Sequence, residues 1–222
     1  MPTRSLVIVA GFALVAAGAA LFARPASAAD VVKEPSKEPA PRGTPDKPAG
    51  PLDFTLKTID GQEQKLSDFR GKTVVLEWNN PQCPFVKKHY DGGDMQRLQA
   101  DARAKGVVWL TVNSGAPGKQ GAMDAAAANA LVREAGLRST AYIPDPSGAI
   151  GRAYGAKTTP HMYVINGAGT LVYAGGIDDK PTANPADIKG ANNFVRAALA
   201  DVEAGRPVQV ATSKPYGCSV KY

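Results

Sequence analysis

Cysteine is scarce in this chain. There are two, Cys83 and Cys218, near the middle and the end of 222 residues. No Cys-x-x-Cys pair exists, since Val86 stands three places after Cys83. A dithiol confined to one short loop is therefore excluded. Histidine is equally rare, with His89 and His161 alone. No basic run interleaved with aromatics occurs, which removes the electrostatic footprint of a nucleic-acid partner. No internal repeat is present. No cysteine follows the small residues Ala26-Ser27-Ala28, so a lipid-anchored N-terminus is not expected.

What is there begins with an export pattern. Arg4 precedes an apolar run over 6–22, and Ala26-Ser27-Ala28 then offers a small-x-small cleavage site. Residues 1–28 read as a signal peptide. The run of about 17 residues sits at the lower edge of what spans a bilayer, so the alternative is an uncleaved anchor. The expected location is the periplasm or another extracytoplasmic compartment, with membrane contact only if that segment is retained. Loss of Arg4 and Arg24 from the 26 basic residues leaves 24 against 20 acidic, a mild net +4. Residues 29–51 are rich in Pro, Lys and Glu and hold almost no large apolar residue, so they read as a disordered linker or tail. The composition, 44% hydrophobic and 21% charged, suits one globular domain, placed at 52–205. Residues 206–222 form a tail carrying Cys218.

Within 52–205, two short strands flank the Asp60-Gly61 turn. The run Thr-Val-Val-Leu-Glu-Trp at 73–78 is mostly apolar and β-branched, as a buried central strand should be. Pro84 suits the first turn of a helix. Asp91-Gly92-Gly93 interrupts it, and Asp94 is expected to cap its continuation to 105. A second buried strand covers 107–112, a helix 122–135, a short strand 140–143 and a short helix 147–154. Strands at 161–165 and 170–174 form a hairpin, and 189–204 forms the last helix. Strands separated by helices pair in parallel, and the hairpin adds antiparallel ones. The fold class is α/β, a mixed central sheet with helices on both faces.

Cys83 follows a buried strand and precedes a Pro-initiated helix. Unpaired N–H groups and the partial positive charge of a helix N-terminus favour a thiolate, and Lys87 and Lys88 lie one turn further on. Such a place lowers a cysteine pKa, and the thiolate is the nucleophile. A buried structural cysteine is the alternative. Asp178-Asp179, beside Lys180, reads as a solvated turn. Trp78 and Trp109 read as core.

The stretch Val-Val-Leu-Glu-Trp-Asn-Asn-Pro-Gln-Cys-Pro-Phe-Val at 74–86 resembles the active-site segment of the thioredoxin-like superfamily. Thr-Thr-Pro-His-Met-Tyr-Val at 158–164 is similar to its cis-proline loop. Leu-Ser-Asp-Phe-Arg-Gly-Lys at 66–72 looks like the segment before the first central strand in the redoxin branch, which includes thiol-specific antioxidant proteins. The resemblance implies a thioredoxin fold and an oxidoreductase using no cofactor. Its partners would be a thiol or disulfide substrate, or a small oxidant, and an electron-donor reductase. It makes Cys83 catalytic and places Thr159 and Pro160 where the backbone meets an extended peptide or thiol substrate. Pro84, Lys87, Lys88, Trp78 and Asn80 support. Cys218 becomes the candidate resolving cysteine, carried by a mobile tail with Gly217 and Ser219 keeping its backbone flexible. The sequence departs from the peroxiredoxin Pro-x-x-x-Thr-x-x-Cys pattern, since Leu76 and Asn80 occupy the proline and threonine places. Copper carriers of this fold use two close cysteines, absent here, so no metal is expected. Three readings stay open: thiol–disulfide exchange, peroxide reduction through a sulfenic acid, and a non-enzymatic module locked by a permanent Cys83–Cys218 bond.

Overall fold

The computed structural model describes residues 53–222, and the expected signal peptide at 1–28 and linker at 29–51 lie outside them. Two three-residue strands, β1 (Thr55–Lys57) and β2 (Glu63–Lys65), pair antiparallel across the Asp60-Gly61 turn. The main sheet has five strands. They are β3 (Val74–Trp78), β4 (Val108–Asn113), β5 (Ala141–Pro144), β7 (His161–Ile165) and β8 (Leu171–Gly175), in the order β5-β4-β3-β7-β8. Pairs β3–β4 and β4–β5 are parallel, while β3–β7 and β7–β8 are antiparallel. This is the mixed sheet expected from the element order.

Side-chain alternation divides the core in two. Val75, Trp109, Met162 and Val164 point to one face with Val86, Tyr90, Leu98 and Val195. These last four come from α1 (Pro84–Asp91), α2 (Asp94–Ala104) and α5 (Phe194–Glu203). Leu76, Trp78, Leu110 and Tyr163 point to the other, with Leu56 and with Tyr154 of α4 (Ala149–Tyr154). Helix α3 (Ala125–Glu134) lies beside β5 and buries only Ala128 fully.

Several local expectations need correction. Gly93, at φ +75°, takes the N-cap of α2, and Asp94 is the first helical residue, paired with Arg97. The expected helix over 189–204 is a 3-10 segment, Pro185–Gly190, followed by α5, whose start is capped by Asn193 accepting the Arg196 N–H. The tail is not loose. The Ala174 N–H donates to Ala211 O (3.0 Å), and the Ser213 N–H donates back to Ala174 O (3.2 Å). Further on, β9 (Cys218–Ser219) pairs antiparallel with β6 (Thr158–Thr159), setting Cys218 opposite Thr159. The last residue is also anchored, with Tyr222 Oη donating to Ala156 O at 2.8 Å. Among the described residues, no helix is long and apolar enough to cross a membrane.

Candidate active site

Cys83 is the N-cap of α1, with Pro84 as the first helical residue. Its carbonyl accepts the Val86 and Lys87 N–H groups at 3.0 and 2.9 Å, and its own N–H donates to Asn80 O at 3.0 Å. Extended backbone at the cap (φ −78°, ψ 124°) thus turns the chain from the end of β3 into the helix. The sulfur sits at the positive end of the α1 dipole, and Cys83 is wholly buried.

Cys83 and Cys218 form a disulfide, with Cα atoms 6.0 Å apart, inside the usual span for such bonds. The Cys218 N–H points at Cys83 Sγ (3.4 Å), and Thr159 O lies 3.2 Å from the same sulfur. The Thr159–Pro160 peptide is cis. Gly217 was read as a source of flexibility, but it serves a close approach. Its φ is +123°, and a Cβ there would press into the Thr159 carbonyl, meeting its carbon at 2.9 Å. Only glycine lets the tail come this near.

The supporting residues divide. Asn80 shapes the loop before Cys83: its Oδ1 accepts the Gln82 N–H (2.9 Å) and its Nδ2 donates to Gln120 O (3.3 Å). Lys87 is exposed. Trp78 does not approach the sulfurs. It lies on the opposite face of the sheet, where its Nε1 donates to Ser114 Oγ at 3.0 Å and its ring meets Tyr154 and Tyr163. His161 is on that face too, 3.1 Å from Tyr163 Oη, and burial pushes its pKa down to about 4.

Asp178 requires the largest correction, and it meets Lys88. Asp178 is not part of a solvated turn but is 4% exposed. Lys88 is 1% exposed, and its Nζ donates to Lys180 O (2.7 Å) and lies 3.6 Å from Asp178 Oδ2. Asp178 accepts from Tyr216 Oη (2.5 Å) and from the Lys180 N–H (2.9 Å). His89 Nε2 is 3.3 Å from Tyr216 Oη, and burial holds its pKa down to about 4, so it is neutral at pH 7. Phe85 packs edge-on against the Tyr216 ring. The first turns of α1 therefore hold the tail two residues before Cys218.

Sequence reading passed over Glu77. It is fully buried on β3, facing α1 and α2. Its carboxylate accepts from Tyr90 Oη (2.6 Å), Trp109 Nε1 (2.8 Å), Gln99 Nε2 (3.0 Å), Asn79 Nδ2 (3.3 Å) and Thr111 Oγ1 (3.4 Å). The available signal was a single acid inside an otherwise apolar strand, six residues before Cys83.

The AhpC/TSA family model matches residues 49–174. The crystal structure of an uncharacterized conserved protein from Geobacillus kaustophilus is 28% identical, with a TM-score of 0.63, covering 79% of this chain and 93% of that one. A hypothetical protein from Sinorhizobium meliloti is 24% identical, with a TM-score of 0.63, covering 77% and 91%. A secreted Mycobacterium tuberculosis disulfide oxidoreductase is 22% identical over 63% of this chain and 93% of its own, with a TM-score of 0.48. No curated protein matches.

Proposed function

The chain belongs to the AhpC/TSA family of thioredoxin-like redoxins, and on that premise we propose that it is an exported thiol–disulfide oxidoreductase cycling through Cys83 and Cys218. The observation that carries the reading is the disulfide at the N-terminus of α1. In the reduced protein, the Cys83 thiolate attacks a substrate disulfide, forming a mixed disulfide and expelling one substrate thiolate. The Cys218 thiolate then attacks Cys83 Sγ. The mixed disulfide breaks, the second substrate thiolate leaves, and the Cys83–Cys218 bond closes. An electron-donor dithiol restores the two thiols and is itself oxidised.

The α1 dipole favours the Cys83 thiolate both as nucleophile and as leaving group. Thr159 and Pro160 would present backbone to the substrate after the tail lifts. The export pattern at 1–28 agrees with a lasting disulfide, which oxidising compartments permit.

Peroxide reduction is the competing chemistry within this family. Against it stand Leu76, buried on the far side of the sheet, and Asn80, whose side chain is committed to the loop. The test is thiol titration with mass mapping of the dithiothreitol-reduced protein, given one equivalent of either a disulfide substrate or hydrogen peroxide. Closure of Cys83–Cys218 is expected, faster with the disulfide. Faster closure with peroxide makes the protein a peroxidase. A bond that resists dithiothreitol makes it a structural lock.

A further inference from the structure

The tail enters the site as an extended peptide whose cysteine is bonded to Cys83. It is received at two places. Backbone pairing sets Cys218 opposite Thr159, and the Val220 N–H donates to Lys157 O (3.1 Å). Two residues before the cysteine, Tyr216 enters a polar pocket. Its hydroxyl donates to Asp178 (2.5 Å) and lies beside His89 (3.3 Å), its face meets the Lys88 ammonium (5.5 Å), and its edge meets Phe85.

Burial makes this pocket costly. Lys88, His89 and Asp178 are each 4% exposed or less, and a buried ion pair stabilises only when its remaining donors and acceptors are met. The Tyr216 phenol meets two of them at once. A cysteine-tethering disulfide and backbone pairing would hold a tail without any such cluster, so the cluster has the form of a side-chain recognition subsite.

We propose that Lys88, His89, Asp178 and Phe85 form a phenol-recognising subsite, which aligns on Cys83 an extended polypeptide carrying tyrosine and then glycine immediately before its cysteine. This rests on the oxidoreductase reading and names its substrate class. The tail is the resident ligand, and it vacates the subsite when its disulfide is reduced. An incoming polypeptide then repeats its placement: the tyrosine fills the pocket, backbone pairs with Thr159, and the Cys83 thiolate attacks the peptide sulfur of a disulfide, expelling the other half as a thiolate.

The test uses the full-length chain with Cys218→Ser and Tyr216→Ala, which frees Cys83 and empties the pocket. The probes are peptides of sequence Lys-Pro-X-Gly-Cys-Ser-Val-Lys-Tyr, matching residues 214–222, with cysteine capped as a mixed disulfide by 5-thio-2-nitrobenzoate. X is Tyr, Phe or Ala. The remaining tail competes equally with all three, so rate ratios isolate X. Release of the coloured thiolate should be about tenfold or more faster for Tyr than for Ala, with Phe between, as a hydrogen bond to a charged acceptor allows. Asp178→Asn should remove the advantage of Tyr over Phe. Equal rates for all three peptides on the unaltered pocket overturn the subsite and leave the oxidoreductase reading intact. No reaction with any peptide, nor with a small aromatic disulfide, overturns that reading instead.

Discussion

Gly217→Ala tests whether the tail's close approach governs the redox state of the two cysteines. The added Cβ would collide with the Thr159 carbonyl, which is held by the β6–β9 pairing and cannot swing aside as a side chain would. The residue would also keep a φ of +123°, where L side chains are strained. Overpacking and backbone strain together cost about 2–4 kcal/mol. The oxidised protein must bear this cost, because the disulfide fixes Cys218 next to Thr159. The reduced protein escapes it by letting the tail lift. The variant should therefore be easier to reduce, by about 30- to 900-fold in the equilibrium constant, or about 40–90 mV in potential. Titration against glutathione mixtures, with alkylation and mass readout, measures this directly. Gly205→Ala is the control: it too has positive φ (+66°) but nothing within 4 Å, and it precedes the Ala211 and Ser213 hydrogen bonds that fix the tail to Ala174. An unchanged potential for Gly217→Ala alongside an unchanged control would refute the argument that tail docking and disulfide closure are one event.

Two further predictions concern the frame around the sulfurs. His89 and His161 both have folded pKa values pushed down to about 4 by burial; for His89 the Asp178 and Asp94 carboxylates oppose this and Lys88 reinforces it. The unfolded chain takes up these protons near pH 6.5, so stability is full above that value and falls as pH drops toward 4, by about 2–3 kcal/mol per histidine at pH 4.5. A urea midpoint flat between pH 7.5 and 4.5 would contradict this. Glu77→Ala strands the Tyr90, Gln99 and Trp109 donors in the core and should destabilise by about 3–5 kcal/mol in denaturant titration, with Glu77→Gln costing less. A loss below about 0.5 kcal/mol would mean those donors are satisfied without the carboxylate.

The central strands were legible because β-branched apolar runs name their own burial, and Cys83 was legible because strand, cysteine and proline in succession place a sulfur at a helix start. Asp178 was misread for the opposite reason. Its neighbours Asp179 and Lys180 are those of a surface turn, and the groups that bury it, Lys88, His89 and Tyr216, are supplied by α1 and the tail from distant parts of the sequence. Gly217 failed similarly: a glycine near a chain end suggests freedom, and only the arrival of β6 turns it into a contact requirement. Glu77 was passed over because a strand's apolar majority hides one acid whose donors come from α1, α2 and β4. Local pattern reports an element's own burial; charge pairing and close approach depend on which element arrives opposite.

The same distinction separates two roles of the disulfide. Against global unfolding it closes a loop of 135 residues, worth about 5 kcal/mol in the chain-entropy treatment. Against lifting of the tail alone it closes far less. The chain is already fixed at Ala211 and Ser213 by hydrogen bonds to Ala174 and Gly176, so the segment that reduction frees begins near Lys214. The five-stranded sheet and the Glu77 network do not contain that segment, and its Tyr216, Cys218 and Val220 only border the two core faces, as partly buried side chains. Breaking the bond is thus expected to leave the domain folded while removing the covalent hold on Tyr216, Gly217 and Cys218. Tyr216, Gly217 and Cys218 are consecutive, and the remaining anchors at Val220, Lys221 and Tyr222 follow directly, so all of them lie on one terminal stretch. A permanent lock gains nothing from confining its contacts to one releasable stretch, whereas a redox cycle requires that the segment come away without unfolding what remains.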